Sequence, residues 1–271
     1  MSKTFLAVLV VSTMAVAQAA SPTASGNSQS VPAEQENAKK AKDLVDQMIE
    51  ALGGQAYMSI QDISQEGRTY SLHHGQAEGA GVLFWRFYKY PDKERVELTK
   101  KRDVIEIFRG DEGFETTYKG TRADDPKVVT DYLRRRHYSL DWVLRKWLAE
   151  PGIALFYEGA TVAAQKETQQ VTIMNSRDEA VSLYIDTNTH MPVKKTFSWR
   201  DPTDKERNIE DEVYDNYRPV QGIMTPFSVT RFYNGEMSSQ RFLHEVTYNK
   251  GLSDSLFEAS ATYDATRPAP K

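Results

Sequence analysis

From about residue 60 onward, apolar side chains recur at every second position, in short segments joined by links too short to hold a crossover helix. Alternation between two faces is the signature of a half-buried strand. Parallel strands need a long crossover, whereas tight turns suffice between antiparallel ones. The chain is therefore committed to an antiparallel sheet. Before residue 120 the clearest segments are 81–90 (GVLFWRFYKY), 94–99 and 104–108, bounded by Pro, Asp or Gly. After it come 153–157, 170–174, 181–186, 193–199, 210–217, 227–233 and 241–248. Asn234-Gly235 separates two of these and is a strong signal for a two-residue hairpin turn. The spacing predicts about ten or eleven strands. Aromatic residues make up 11% of the chain, which suits pleated, half-buried surfaces.

Two helical stretches interrupt this pattern. Ala41, Leu44, Val45, Met48, Ile49 and Leu52 fall on one face of a helix over about 35–52, and Gly53-Gly54 supplies its stop. A second stretch covers about 126–149. Pro126 suits its first turn, Asp124 or Asp125 its cap, and Leu140, Val143, Leu144, Trp147 and Leu148 form its stripe. Ser139 can open a new cap, so a break is expected at His137-Tyr138-Ser139, and Pro151-Gly152 ends the stretch.

The N-terminus carries Lys3, an apolar run from Phe5 to Ala17, and Ala17-Gln18-Ala19. This is the layout of a cleavable secretory signal, residues 1–20, cut near Ala19/Ala20. The run is shorter than the roughly 20 residues that span a bilayer. Residues 21–34 read as a disordered linker, 35–260 as one domain and 261–271 as a flexible tail. The chain has no cysteine, which excludes a diacylglycerol anchor and any disulfide. Its net charge of −4 offers no basic surface for a nucleic-acid partner.

Catalytic patterns are lacking. His73, His74, His137, His190 and His244 show no paired metal-ligand spacing, and His73-His74-Gly75 reads as an exposed turn. There is no GxSxG elbow and no thiol. Asp124-Asp125 and Glu210-Asp211-Glu212 read as a cap and a solvated strand or loop. No catalytic residue, metal site or cofactor is expected. Arg134-Arg135-Arg136, the one basic cluster, is either a solvated helix face or a contact for anionic headgroups.

Several turn motifs, in order, resemble those of the outer-membrane lipoprotein-sorting proteins, the LolA/LolB-like group of periplasmic lipoprotein and lipid carriers. A first helix ends in ALGG at 51–54. The strand 81–90 runs into Pro91 and is followed by Arg95-Val96-Glu97. GDEGF at 110–114 is similar to the DGxxxW hairpin of these carriers. YIDTNTHMPV at 184–193 resembles lDpxTxlPv, YRPVQGIMTP at 217–226 resembles yxxvdGvxxPxxi, and YNKGLSDSLF at 248–257 resembles vNxxlxdxlF. The resemblance runs from about 37 to 258. It implies an α+β fold, a strongly curved antiparallel β half-barrel whose concave side is covered by helices. It also implies a periplasmic protein that is not an enzyme.

The function implied is carriage of the acyl chains of a lipoprotein or lipid in an apolar half-barrel cavity, toward the outer membrane, with transient contacts to inner- and outer-membrane partner proteins. A non-transporting envelope sensor or scaffold on the same fold is the alternative. Period two sets Phe84, Arg86, Tyr88 and Tyr90 apart from Trp85, Phe87 and Lys89, and the first set is expected to face the cavity. Leu144 and Trp147 are expected to join it from the helical lid. The carriers place an Arg immediately before the Pro of this strand, as a tether for the lid, and here that position is Tyr90. Tyr90 can donate one hydrogen bond but brings no charge. Arg86 either reaches into the cavity in its stead or snorkels to the surface.

Overall fold

The structure is a computed structural model that describes residues 33–269. The expected signal, and all of the expected linker but its last two residues, lie outside the described residues. Helix α1 (Ala33–Leu52) is followed by a single turn, α2 (Gln55–Met58). Seven strands come next: β1 (Asp62–His73), β2 (Gln76–Ala77), β3 (Val82–Lys89), β4 (Lys93–Leu98), β5 (Val104–Arg109), β6 (Glu112–Thr117) and β7 (Gly120–Ala123). The helical insert consists of α3 (Pro126–His137), α4 (Leu140–Arg145) and a 3-10 turn, Trp147–Ala149. Seven more strands complete the sheet: β8 (Ala154–Ala163), β9 (Lys166–Met174), β10 (Ala180–Asp186), β11 (Pro192–Arg200), β12 (Arg207–Val220), β13 (Ile223–Tyr233) and β14 (Glu236–Tyr248).

All pairings are antiparallel, in the order β7-β6-β5-β4-β3-β1-β14-β13-β12-β11-β10-β9-β8, with the short β2 paired to β1. Two meanders are thus joined in the middle, where β1 pairs with β14. The curved sheet does not close, so β7 and β8 are its edges. Fourteen strands exceed the number expected from spacing. The additional ones are β1, β2, β6 and β7, whose Gly, Thr and charged residues blur the alternation. The helical break falls where expected. Asp125 accepts from the Lys127 N–H at 2.7 Å to cap α3, and Ser139 accepts from the Trp142 N–H at 3.3 Å to cap α4. Asn234 and Gly235 both take positive φ, which fits the hairpin turn.

Helix α1 buries Ala41, Val45, Met48 and Leu52. They join Val171, Ile173, Val181, Leu183 and Ile185 of β9 and β10, and Val143, Leu144 and Trp147 of the insert, in one core. Each larger apolar side chain so enclosed stabilises by about 1.5–3 kcal/mol. This half of the concave face is packed shut. Both sheet edges are partly satisfied. Asn37 of α1 donates to the Tyr157 carbonyl and accepts from the Tyr157 N–H, each at 2.8 Å, beside a bulge in β8. At the other edge, residues 261–269 do not form the free tail expected. The Thr262 N–H donates to the Thr121 carbonyl of β7 at 2.9 Å, and the Asp264 N–H donates to the Lys119 carbonyl at 2.8 Å.

Candidate functional site

The other half of the concave face encloses a cavity of about 510 Å³, within the range of small-molecule sites. Strand alternation builds its wall. On β3, Phe84, Arg86 and Tyr88 point inward; on β4, Glu94, Val96 and Leu98; on β14, Arg241 and Leu243. Strands β12 and β13 add Glu212, Tyr214, Val229 and Arg231. Helix α3 closes the space with Val128, Tyr132 and Arg135, and the start of α4 with Leu140 and Asp141.

Charged groups dominate the middle of this wall. Arg86 binds Glu94 through two nitrogens, Nε to Oε1 at 2.6 Å and Nη2 to Oε2 at 3.1 Å, and Nη1 donates to Gln65 at 3.2 Å. Burial pushes the Glu94 carboxyl up, but Arg86 outweighs it and holds the group below its ordinary value. Glu212 accepts from Lys195 Nζ at 3.0 Å, Arg231 Nε at 2.8 Å and the Tyr214 hydroxyl at 2.7 Å. Burial again opposes ionisation, yet Lys195 and Arg231 keep Glu212 well below the usual carboxylate range. Burial drives Arg241 down to about 10, with repulsion from Arg86 and Arg231 adding to the shift. Arg135 is lowered by burial first and by Arg231 second, and Glu106 is raised by burial and then by Asp124 and Glu94.

The helical cover is held mainly by polar tethers. The Tyr57 hydroxyl donates to Asp141 Oδ1 at 2.5 Å and the Tyr90 hydroxyl to Oδ2 at 2.7 Å. Burial pushes both phenols far up and the Asp141 charge adds to it, so both remain donors. The Arg145 guanidinium lies 3.8 Å above the Tyr90 ring and donates to the Ile60 carbonyl at 2.7 Å. The Tyr132 hydroxyl donates to Glu94 at 3.0 Å, and Lys195, only 1% exposed, donates to the Tyr138 carbonyl at 2.7 Å. Helix α3 has no fully buried residue, whereas α4 buries Val143 and Leu144. Helix α4 is anchored by apolar packing, and α3 mainly by polar contacts together with the Tyr132 ring, stacked on Phe108 at 3.7 Å.

No family model and no curated protein matches the sequence. Solved structures do. A DUF1329 family protein from Desulfovibrio piger aligns with TM-score 0.57 at 12% identity, over 80% of this chain and 97% of that one. A domain assigned to the outer membrane lipoprotein-sorting proteins, from Vibrio parahaemolyticus, gives 0.52 at 9% identity, over 82% and 97%. A LolA superfamily protein from Nitrosomonas europaea gives 0.50 at 11% identity, over 80% and 97%. The fold is LolA-like.

Within this LolA-like half-barrel the expected site residues separate. Phe84, Arg86 and Tyr88 do line the cavity. Arg86 does not snorkel: its side chain is 19% exposed and fastened to Glu94. Tyr90 lies outside the wall but reaches Asp141 of the insert, so the residue before Pro91 still ties sheet to helix. Leu144 and Trp147 do not line the cavity. They lie in the core shared with α1, β9 and β10, Trp147 beside Tyr138 and His137, because the insert turns its apolar stripe toward the packed half of the sheet.

The arginine cluster also needs correction, since it is no solvated helix face. Arg134 stacks over Trp199 at 3.5 Å and binds Asp131 at 2.9 Å and Glu210 at 3.3 Å. Arg136 donates to the Gly110 carbonyl at 2.9 Å. Arg135 faces the cavity. The three point toward the sheet because α3 has little apolar surface to lay against it. The cavity itself is not the apolar one expected but a mixed one. Sequence reading singled out neither Arg231 nor Arg241, and it took Glu212, which lines the cavity, for a solvated residue. The available clue was phase: Arg231 continues the buried alternation of Thr225, Phe227 and Val229, and Arg241 precedes Leu243 by two. Asp141 and Tyr57 left no such clue. Among the described residues no helix is long and apolar enough to cross a membrane, and no cluster of His, Asp or Glu is placed to hold a metal ion. His137 contacts Glu179 at 2.9 Å, and His73 and His74 sit at the exposed β1–β2 turn.

Proposed function

We propose that this protein is a periplasmic carrier that receives an acyl chain of a lipid or lipoprotein in the cavity beneath α3 and performs no chemical step. The single observation behind this reading is the enclosed space under a helix that buries none of its own residues. Such a helix can lift with little loss of apolar burial, chiefly the Tyr132 ring stacked on Phe108, and a carrier needs such a step for loading and release. The apolar part of the wall, with Ile60, Ile63, Phe84, Val96, Leu98 and Leu243, suits hydrocarbon. Acyl burial contributes about 0.8 kcal/mol per methylene, which gives binding that is weakly selective and reversible. The names borne by the Vibrio and Nitrosomonas structures agree with this reading. The apolar start of the sequence, with its small-x-small site, supports export.

The test is titration of delipidated protein with a fluorescent acyl probe. Saturable binding is expected, with displacement by unlabelled acyl chains. Absence of binding by protein shown to be folded refutes carriage. Mass spectrometry of material co-purified from the envelope separates the alternatives, because a bound polypeptide with no lipid favours a sensor or scaffold.

A further inference from the structure

Three acids of the cavity wall are already matched, and two of its cations are not. Glu94 is held by Arg86 and Tyr132, Glu212 by Lys195, Arg231 and Tyr214, and Asp141 by two tyrosines. Two arginines remain. Among the described residues, neither Arg241 nor Arg135 has a side-chain hydrogen bond or an ion pair, and Arg241 Nε is buried with no partner at all. Glu106, the remaining acid of the wall, forms an ion pair with neither. A partly buried guanidinium with no direct ion pair is unfavourable, and other arginines nearby make it worse, although Glu212 and Glu94 near Arg241 and Glu210 and Asp131 near Arg135 offset part of this. Both Arg241 and Arg135 lose basicity through burial and the nearness of other arginines, which is the electrostatic mark of an incompletely compensated positive space.

We propose that this space is an oxyanion site, in which the phosphate-type head of an acyl amphiphile is held between Arg241 and Arg231 of the sheet and Arg135 of α3. The inference rests on the carrier reading and names the class of its cargo. A guanidinium fork matches a tetrahedral or planar oxyanion through paired N–H donors, which an ammonium does not. Arg135 and Arg231 also line a second space, of about 690 Å³, on the far side of α3. They therefore belong to both the outer pocket and the inner cavity, and an arriving head would pass them on its way in. Arg135 belongs to the lid and Arg241 to the sheet, so a bound oxyanion fastens one to the other. Loading with an acidic amphiphile closes the cavity, and an uncharged one leaves α3 as loosely held as before.

Calorimetric titration of delipidated full-length protein with three probes tests this: a monoacylglycerol phosphate, the matching uncharged monoacylglycerol, and inorganic phosphate. The phosphate-bearing amphiphile is expected to bind at least about tenfold more tightly than the uncharged one, as a charge-assisted bond implies. Arg241→Gln and Arg135→Gln should each abolish most of that preference, weakening the phosphate-bearing probe far more than the uncharged one. Arg241→Gln should also raise the melting temperature of the free protein, a sign opposite to that of a structural arginine. If Arg241→Gln does not fold, Arg135→Gln alone gives the same readout. Equal affinity for both amphiphiles, unchanged in the variants, overturns the oxyanion site and leaves carriage standing. Binding of inorganic phosphate as tightly as the amphiphile, lost in the variants, upholds the site and removes the acyl chain from the reading. No binding of any probe to folded protein overturns both.

Discussion

Replacing Asp141 with alanine should release the helical insert from the sheet. The side chain accepts two hydrogen bonds, from Tyr57 at 2.5 Å and Tyr90 at 2.7 Å, and these tyrosines come from separate elements. A hydrogen bond to a charged acceptor contributes about 1.5–3 kcal/mol, and a buried hydroxyl left without a partner costs about 1–3 kcal/mol. The Tyr57 side chain has nowhere else to turn, being 6% exposed. Allowing for overlap between the two bonds, Asp141→Ala should cost about 3–5 kcal/mol, against a typical domain stability of about 5–15 kcal/mol. Asp141 also lies in the first turn of α4, where its charge favours the helix by about 0.3–1 kcal/mol. That dipole contribution does not involve Tyr90, so a double-mutant cycle with Tyr90→Phe isolates the tether. Urea unfolding should give a coupling of about 1–2 kcal/mol, and amides 140–145 should exchange faster in Asp141→Ala. A loss under about 0.5 kcal/mol, or zero coupling with Tyr90, would refute the assignment of Asp141 as the tether.

Other perturbations follow from the same structure. Glu212 is held well below its ordinary value, so the unfolded chain takes up its proton at higher pH than the folded one. Its contribution is therefore present above the ordinary carboxylate range and lost as pH falls through the folded value. Denaturant midpoints measured from pH 6 downward should fall, with a shallower slope in Glu212→Gln. Arg134→Gln removes two ion pairs and the stack on Trp199, and should cost about 1–2 kcal/mol by thermal unfolding without altering binding to anionic vesicles. Gly67→Ala places a Cβ 2.2 Å from the Phe242 carbonyl and 3.0 Å from Phe84, in a strand that is already bulged. It should destabilise by about 2–4 kcal/mol, and a melting temperature within a degree of the parent would contradict the close approach.

Period two, the two helical stripes and the caps made the architecture legible in advance, because each depends on neighbours in sequence. The break at Ser139 and the turn at Asn234-Gly235 are local chemistry of this kind. So is the turn after Asp186, whose carboxylate accepts from the N–H groups of Asn188 and Thr189. The site was less legible, for a physical reason. Whether Arg231 faces water or a cavity depends on what lies across the sheet, and partners such as Lys195 and Glu212 come from other strands. Leu144 and Trp147 were assigned to the correct stripe, but their sequence does not say which half of the sheet the stripe meets. The meeting of Tyr57, Tyr90 and Asp141 is of long range on all sides.

Asn37 gives the open sheet a boundary. Any unpaired strand edge is a template for another chain, and β8 ends the sheet with Phe156 and Val162 exposed. By donating to the Tyr157 carbonyl and accepting from the Tyr157 N–H, Asn37 does for β8 what one residue of a neighbouring strand would do. The first turns of α1 therefore act as a stopper against polymerisation as well as a cover for the core. A chain clipped or frayed before Ala41 would keep much of its half-barrel and lose the stopper, and copies of it would meet edge to edge.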